Sequence, residues 1–329
     1  MDLGSESETP MANNFLCVPY IFDLEVTNLC NTECAFCPRK AITRPKGRMN
    51  RETFEWFLKR LKLYVQKIEG QIIHLPHEKA SVRAGRGEES PVRVLMCGMG
   101  ECLTHPETPE WIGRIRSEVG VRASIVTNGA LLDEAMMRRL ITARVTVIIV
   151  SVPGVSRETY SRTMKLDWDT VIANVRRASE MLPGRIEVSV TIPRDAGFTA
   201  QDVVAFWSAF GGDIRISAIT PCHNRGGFMT DERLLSSEPQ RPSRFCGVLA
   251  RHFLTAWDGR VLSCCHDLRG ENVIGDIRTD EYADLARRKT AMMDPGPCFA
   301  ICPRCDDPQR PDRSAIAGVQ RQVLLPEGQ

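Results

Sequence analysis

Residues 30–37 read Cys-Asn-Thr-Glu-Cys-Ala-Phe-Cys, a cysteine triplet with spacings of four and three residues that follows a largely apolar segment. Three thiolates this close in sequence can converge on one metal centre. A structural zinc site normally takes four protein ligands, and no fourth Cys or His lies between Cys37 and His74. The triplet therefore indicates a centre in which one metal position is left for a ligand from outside the protein.

Composition narrows the class of protein. The chain has 329 residues, of which 43% are hydrophobic, so it can bury a large core. Its 43 basic and 41 acidic residues nearly cancel, which argues against a nucleic-acid partner. Because no run of eighteen apolar residues exists and the first ten residues are acidic and polar, we expect a soluble cytoplasmic protein without a membrane partner. Thirteen cysteines, an odd number, then favour metal-bound or catalytic thiolates over disulfides.

The pattern of apolar residues from 20 to 219 predicts parallel strands that alternate with helices. Strands are expected at residues 20–27, 92–97, 121–127, 145–151, 185–193 and 213–219. Helices are expected at residues 50–69, 130–141, 167–182 and 199–210. About six βα units, fewer than the eight of a closed barrel, predict an α/β fold of the partial (βα)6 TIM-like type, with a ligand site at the carboxyl ends of the strands.

The segments outside this pattern differ from it in composition. We expect residues 1–14 to be disordered, residues 15–230 to form the barrel, residues 231–308 to form a small metal-stapled extension, and residues 309–329 to form a tail. Residues 74–91 are polar and rich in Gly and charge, without periodicity. They are predicted to be a surface loop, either a tolerated insertion or a substrate lid.

The triplet resembles the signature of the radical S-adenosylmethionine (SAM) superfamily, Cys-x3-Cys-x2-Cys with an aromatic residue, here Phe36, before the last cysteine. This resemblance covers about residues 15–306. It implies that Cys30, Cys34 and Cys37 hold a [4Fe–4S] cluster whose fourth iron binds SAM. Reductive cleavage of SAM would then yield methionine and a 5′-deoxyadenosyl radical that removes hydrogen from the substrate.

The resemblance also implies a flavodoxin- or ferredoxin-type electron donor. Three basic residues follow the triplet, namely Arg39, Lys40 and Arg44. They could screen the charge of the cluster or meet an acidic donor, although solvated surface charge is the simpler interpretation for at least two of them.

Three later motifs stand where related enzymes have cofactor-binding residues. Gly98-Met99-Gly100-Glu101 corresponds to the family's Gly-Gly-Glu stretch, with Met99 in place of one glycine. Thr127-Asn128 ends the third predicted strand, and Ser151 ends the fourth. On its own, an Asn-Gly pair or a strand-end serine would indicate only a turn. The resemblance implies that SAM contacts Phe36, Gly98, Gly100, Glu101, Thr127, Asn128 and Ser151.

The cysteines after residue 245 resemble the C-terminal extension of the family called SPASM, or its shorter version called twitch. This implies one auxiliary [4Fe–4S] cluster with the ligands Cys246, Cys264, Cys302 and Cys305. Cys298 could replace Cys302, whereas Cys265, next to a ligand, is not expected to face the same iron. Four cysteines could equally bind zinc, so a zinc-stapled binding protein is an alternative.

The substrate is the least constrained part of the prediction. Peptide-modifying relatives usually carry an additional peptide-binding domain, whereas only about nineteen residues precede the first predicted strand. The compact layout is similar to 2-deoxy-scyllo-inosamine dehydrogenase and the radical enzymes of aminoglycoside and nucleoside antibiotic pathways. We therefore expect a small-molecule substrate, sugar-, aminocyclitol- or nucleoside-like, that is oxidised from an alcohol to a ketone.

Two residues after the last predicted strand are the candidate substrate contacts. His223 could accept a hydroxyl proton, and Arg225 could bind a carboxylate or phosphate. The alternative is that they belong to a hydrogen-bonded linker. Alternative reactions are decarboxylation of a uronic-acid nucleoside, deoxygenation of a sugar and maturation of a ribosomal peptide.

Overall fold

The computed structural model describes residues 19–75, 80–235, 246–292 and 299–307. The strands are β1 (Ile21–Leu24), β2 (Ile72–Leu75), β3 (Ala80–Arg83), β4 (Arg93–Met96), β5 (Arg122–Thr127), β6 (Ile148–Ser151), β7 (Ile186–Ile192), β8 (Ile214–Pro221), β9 (His252–Thr255), β10 (Arg260–Leu262) and β11 (Val273–Asp276). The helices are α1 (Arg51–Ile68), α2 (Thr108–Arg114), α3 (Glu134–Thr142), α4 (Arg157–Met164), α5 (Trp168–Met181), α6 (Ala200–Phe210), α7 (Gly247–Arg251) and α8 (Tyr282–Met292). A π-helical turn, Ile115–Val119, follows α2 directly.

The predicted α/β partial barrel is confirmed. All six predicted strands are present, and β1, β4, β5, β6, β7 and β8 pair in parallel in that order. Parallel neighbours need crossover connections, which the helices between the strands provide. The sheet is open, because β8 lies at one edge of it and β11 at the other.

The four predicted helices are present as α1, α3, α5 and α6, and side-chain caps fix where they begin. Asn50 accepts a hydrogen bond from Thr53 N at 2.8 Å, as its position before α1 predicts. Helix α3 begins later than predicted, at Glu134, because the side chain of Asp133 caps it through Met136 N at 2.7 Å.

The prediction of an unstructured loop at residues 74–91 is wrong for its first part. Strands β2 and β3 form an antiparallel hairpin, with Leu75 opposite Ala80 and Ile72 opposite Arg83. Each strand is stabilised by backbone hydrogen bonds to the other, a pairing that has no signature in an aperiodic sequence. Residues 84–91 are a loop as predicted, and residues 76–79 lie outside the described residues.

The sheet continues past residue 230, where the extension was predicted to begin. Strand β9 pairs in parallel with β1, with Ile21 opposite His252, and β10 and β11 add antiparallel strands beyond it. The strands after residue 250 therefore belong to the same nine-stranded sheet as the barrel. The predicted terminal segments, 1–14 and 309–329, lie outside the described residues.

Strand alternation gives the sheet an apolar face and a polar face. Phe22 of β1 packs against Tyr64 of α1 and Tyr282 of α8, with ring centroids 5.4 and 4.9 Å apart, so this face meets the helices. Asp23, the next residue, therefore faces the concave side of the sheet. The same alternation turns buried Val188 and Val190 of β7 to the helices and leaves Ser189 on the concave side.

Among the described residues, no helix combines the length and the apolar character that crossing a membrane requires.

Candidate active site

The cysteine triplet lies on the loop that follows β1, at the carboxyl end of the parallel strands. This loop is tied to the end of α4: Thr32 Oγ1 donates a hydrogen bond to Met164 O at 2.5 Å, and Ala35 N donates to Thr163 O at 2.8 Å. The three thiols are half-exposed. The loop is thus held in place while its thiols stay accessible to a cofactor.

The thiols of the triplet influence each other's ionisation. Burial raises the pKa of Cys34 to about 12, and the neighbouring Cys37 and Cys30 add to the rise. Burial also raises the pKa of Cys30, and the backbone hydrogen bond from Thr32 offsets part of this increase. Three thiolates at this distance repel one another, so they need a bound cation to be stable together.

The thiols of the triplet are spaced more widely than the ligands of a bound zinc ion. Bonds of about 2.3 Å to a tetrahedral zinc ion would place the sulfur atoms about 3.8 Å apart. Within the described ranges, no three cysteine sulfurs lie within 4.8 Å of one another. A four-iron cluster is larger than a single ion and is held by thiolates at wider spacing. The residues of the triplet therefore fit a cluster with three protein ligands.

Glu101 connects the strand ends beside the triplet. Its carboxylate accepts hydrogen bonds from Thr127 Oγ1 and from Asn128 N, both at 2.8 Å. Asn128 Nδ2 in turn donates to Asn31 Oδ1, next to Cys30, at 2.8 Å. Burial raises the pKa of Glu101, and the hydrogen bonds that it accepts work against the rise. Three predicted SAM contacts are therefore brought together at the cysteine loop.

The other two predicted positions outside the glycines are Phe36 and Ser151. Phe36 is half-buried and packs against the core. Ser151 is half-buried at the carboxyl end of β6, opposite Ser189 of β7.

The two glycines of the Gly98-Met99-Gly100 run allow a close backbone approach. A Cβ atom on Gly98 would come within 3.0 Å of the Glu25 side chain. A Cβ atom on Gly100 would come within 3.0 Å of the carbonyl oxygens of Thr27 and Leu29. Because the second contact is with backbone, no side-chain rotation can relieve it. The glycine run therefore fixes the distance between the loop after β4 and the cysteine loop.

We expect Gly100→Ala to lower the free energy of unfolding by about 1–3 kcal/mol and to reduce the iron content, because it pushes the cysteine loop away from β4. Urea unfolding and iron analysis under anaerobic conditions measure both effects. Gly113→Ala is the matched control, since the nearest atom to its new methyl group, Ala143 Cα, lies at an ordinary 3.6 Å. Equal behaviour of the two variants would contradict the steric argument.

Arg44 is not the solvated charge that its position in the sequence suggests. It forms a bidentate ion pair with Glu25, with both N–O distances at 2.5 Å, and its Nε donates to Leu268 O at 3.0 Å. Glu25 Oε2 also accepts a hydrogen bond from Met99 N at 3.1 Å. Arg44 therefore joins the loop after the triplet to the glycine run and to the extension. Lys40, by contrast, is exposed as expected.

The second cysteine group also converges. Burial raises the pKa of Cys264, and the nearby thiols of Cys246 and Cys302 add to the rise. Cys302 and Cys305 bracket a tight turn, in which Cys305 N donates to Cys302 O at 3.3 Å. Cys298, the alternative ligand, lies outside the described residues. The structure therefore brings at least three of the four predicted ligands together.

Cys265 belongs to a different environment from Cys264. Burial raises its pKa, as do the nearby charges of Cys264, Asp23 and Asp307, while Arg225 lowers it. Asp23 is buried on the concave face of β1. Cys265 thus links the second cysteine group to the interior of the barrel.

Asp23 is the centre of a polar group that the sequence analysis did not identify. It accepts a hydrogen bond from His252 Nδ1 at 2.8 Å and one from Cys97 Sγ at 3.5 Å. Burial raises the pKa of Cys97, and the adjacent Asp23 and Cys265 raise it further. An isolated carboxylate in the strand Ile-Phe-Asp-Leu was the available signal, because buried charges need partners.

His223, which follows β8, is buried. Burial lowers its pKa to about 3, and the charges of Arg225 and His266 contribute to this decrease. His223 is therefore neutral at physiological pH and a weaker base than an ordinary histidine. Its ring packs edge-on against the ring of His266, with centroids 5.3 Å apart. His266 and its hydrogen-bond partner Asp307 were not predicted from the sequence, although they lie two residues after the predicted ligands Cys264 and Cys305.

Known proteins share both sequence and fold with this chain. Residues 24–206, more than half of the chain, match the radical SAM superfamily. A probable GTP 3′,8-cyclase from Methanococcus maripaludis is 26% identical over 181 residues, which are 55% of this chain and 50% of that protein. The chain therefore spans about half the length of this curated relative.

Solved structures show the same fold at low sequence identity. BtrN in complex with AdoMet and 2-DOIA has a TM-score of 0.57 at 16% identity, covering 88% of this chain and 94% of BtrN. SuiB from Streptococcus suis bound to the precursor peptide SuiA has a TM-score of 0.62 at 11% identity, covering 89% of this chain and 71% of SuiB. A third structure, anSMEcpe with bound AdoMet, has a TM-score of 0.56 at 15% identity, covering 81% of this chain and 80% of that one. With the cysteine triplet after β1 and the match over residues 24–206, the chain belongs to the radical SAM superfamily.

Proposed function

We propose that this enzyme removes a hydrogen atom from a small sugar-, aminocyclitol- or nucleoside-like metabolite and oxidises an alcohol to a ketone. The observation that carries the proposal is the buried polar group on the concave side of the sheet between the two cysteine groups. Asp23 accepts hydrogen bonds there from His252 Nδ1 at 2.8 Å and from Cys97 Sγ at 3.5 Å.

The superfamily uses a [4Fe–4S] cluster and SAM. Cys30, Cys34 and Cys37 would hold the cluster, which with SAM supplies a 5′-deoxyadenosyl radical. The group around Glu101 would then bind SAM. SAM could approach the backbone of the glycine run closely, and the ends of β5 and β6 would supply Thr127, Asn128 and Ser151. Glu101 already accepts hydrogen bonds from the protein, so its contribution would be to hold these loops in register.

The polar concave face supports a hydroxylated substrate. Asp23, Cys97 and Ser189 lie on that face of the sheet, and His252 is fixed by its hydrogen bond to Asp23. A hydrocarbon-like substrate would displace water from these polar groups without replacing the hydrogen bonds that water makes to them. Hydroxyl and amino groups of a sugar or an aminocyclitol could instead pair with them.

Oxidation of an alcohol carbon releases one hydrogen atom, one proton and one electron. Neutral His223 can accept the proton at its free ring nitrogen, and Arg225 can bind an anionic substituent of the substrate. Cys246, Cys264, Cys302 and Cys305 would hold the auxiliary cluster, which supplies an electron acceptor next to Cys265. This arrangement favours oxidation over a redox-neutral decarboxylation, in which no acceptor is needed.

The relatives support more than one substrate class. BtrN holds 2-DOIA, a small molecule, whereas SuiB holds a precursor peptide. The chain matches 94% of BtrN but 71% of SuiB, so the small-molecule enzyme is the better guide to the layout. Peptide maturation is the second candidate function, supported by the higher TM-score to SuiB.

Isotope transfer tests the proposal. The reconstituted enzyme is incubated with SAM, a reductant and one of three ring- or Cα-deuterated probes: 2-deoxy-scyllo-inosamine, a uronic-acid nucleoside or a short peptide. We expect deuterium from 2-deoxy-scyllo-inosamine to appear in 5′-deoxyadenosine. The product should contain two hydrogen atoms fewer than this substrate. Transfer from the peptide alone, or loss of carbon dioxide from the nucleoside, would replace this function by one of the alternatives.

A further inference from the structure

Three buried side chains meet beside the second cysteine group. They are His223 after β8, His266 after β10 and Asp307 at the end of the described chain. One ligand atom from each lies within 4.8 Å of those of the other two. All three side chains are at most 8% exposed. Distant parts of the chain thus bring two imidazoles and one carboxylate together.

We propose that His223, His266 and Asp307 bind one divalent first-row transition-metal ion. His223 would then no longer accept the substrate proton at the ring nitrogen that binds the ion. Two imidazoles and one carboxylate are ligands that such ions favour, and three protein ligands leave positions open for water or for a substrate hydroxyl. The set contains no thiolate, so its chemistry differs from that of both cysteine groups. The carboxylate, with the adjacent Asp306, supplies negative charge against the nearby Arg225.

The distances suit a site that closes on an ion by small movements. His266 Nε2 lies 2.6 Å from Asp307 Oδ2. Metal bonds of about 2.0–2.2 Å place neighbouring ligand atoms about 3 Å apart, so this pair would separate by a few tenths of an ångström. One ligand atom of His223 lies within 4.8 Å of those of both partners.

A buried nitrogen without a partner is the second observation. His223 Nδ1 is enclosed and makes no hydrogen bond in the structure. The carboxylate oxygen Asp306 Oδ1 is 3.8 Å from it, which is beyond hydrogen-bond distance. Because buried polar atoms nearly always have partners, this nitrogen points to a ligand that binds there.

The neighbours of the ligands hold the site together. Asn224 N donates to Asp306 Oδ1 at 2.7 Å, and Asn224 Nδ2 donates to Arg304 O at 2.7 Å. These bonds connect the residue after His223 to the residues before Asp307. The two segments are thus positioned before any ion binds, which is the arrangement that metal sites need for affinity.

Manganese titration tests the site with the full chain. Both cysteine groups are first loaded with iron and sulfide, and free Mn²⁺ is then measured by electron paramagnetic resonance, without SAM or substrate. We expect about one Mn²⁺ per chain, displaced by Zn²⁺, which such ligands bind more tightly. In His266→Gln and in Asp307→Asn, binding should weaken at least about tenfold with unchanged iron content.

Asp267→Asn is the matched control, because this adjacent carboxylate accepts hydrogen bonds from Glu271 N and Asn272 N and lies outside the three ligands. It should bind Mn²⁺ like the wild-type chain. If the wild-type chain binds neither Mn²⁺ nor Zn²⁺ beyond its iron, or if the ligand variants bind as well as the control, the proposal is wrong. His266 and Asp307 are then only a hydrogen-bonded pair. Because no turnover is measured, this outcome is independent of the proposed oxidation.

Discussion

Replacing Cys30, Cys34 and Cys37 together by alanine abolishes the reductive cleavage of SAM, to the background of a protein-free control. The three thiols are the only cysteines on the loop after β1, and each is needed to fill one corner of a four-iron cluster with three protein ligands. Formation of 5′-deoxyadenosine under dithionite, measured without substrate, reports this step. Iron content should fall from about eight to about four per chain, since each cluster holds four irons.

Two other cysteine variants are the controls for this result. Cys222→Ala removes a buried thiol outside both groups and should retain cleavage and all of the iron. Cys246→Ala should also lose about four irons but retain cleavage at least in part, because its cluster would act after hydrogen removal. Full cleavage by the triplet variant, or zinc in place of iron in the wild-type chain, would contradict the assignment of the two cysteine groups.

The triplet and the positions of the barrel strands are readable from the sequence because both depend on local pattern. The strands of the barrel are short apolar runs bounded by polar residues, and the cysteine loop is eight residues long. Helix α4 has no such pattern, since two of its four buried residues are Thr159 and Thr163. Their hydroxyls are satisfied inside the fold, Thr159 in a capping box with Ser156 and Thr163 through Pro153 O at 2.8 Å. Because half of the buried positions of α4 are polar, its sequence lacks the apolar periodicity that predicts an amphipathic helix.

Pairings between distant segments are the other part that the sequence does not reveal. The position of β9 beside β1 depends on backbone hydrogen bonds between residues more than two hundred positions apart. The same holds for His266 and Asp307, which are 41 positions apart, and for Asp23 and His252, which are 229 apart. In a single sequence such contacts have only indirect signals, such as a charged residue within an apolar strand.

Arg44→Met is expected to be far more destabilising than the substitution of a surface arginine. The side chains of Arg44 and Glu25 are only 2% and 0% exposed, and burial would lower the pKa of Arg44 if the hydrogen bonds to Glu25 did not raise it on balance. Removing the guanidinium leaves a buried carboxylate without its countercharge, which costs about 3–5 kcal/mol. Urea unfolding of the anaerobic protein should show this loss, and the loop after the triplet should lose cluster binding with it.

A double variant separates the charge from the packing. Glu25→Gln in the Arg44→Met background removes the unpaired charge and keeps an oxygen that can accept the hydrogen bond from Met99 N, so it should recover much of the lost stability. Arg51→Met provides the surface control, because Arg51 is 68% exposed in its pairs with Glu107 and Glu110 and should change stability by less than about 1 kcal/mol. If Arg44→Met behaved like Arg51→Met, the buried pair would not be what joins the cysteine loop to the glycine run and the extension. Recovery in the double variant, with iron content restored, would instead show that the uncompensated charge of Glu25 causes the defect and that the pair positions the cofactor loop through electrostatics.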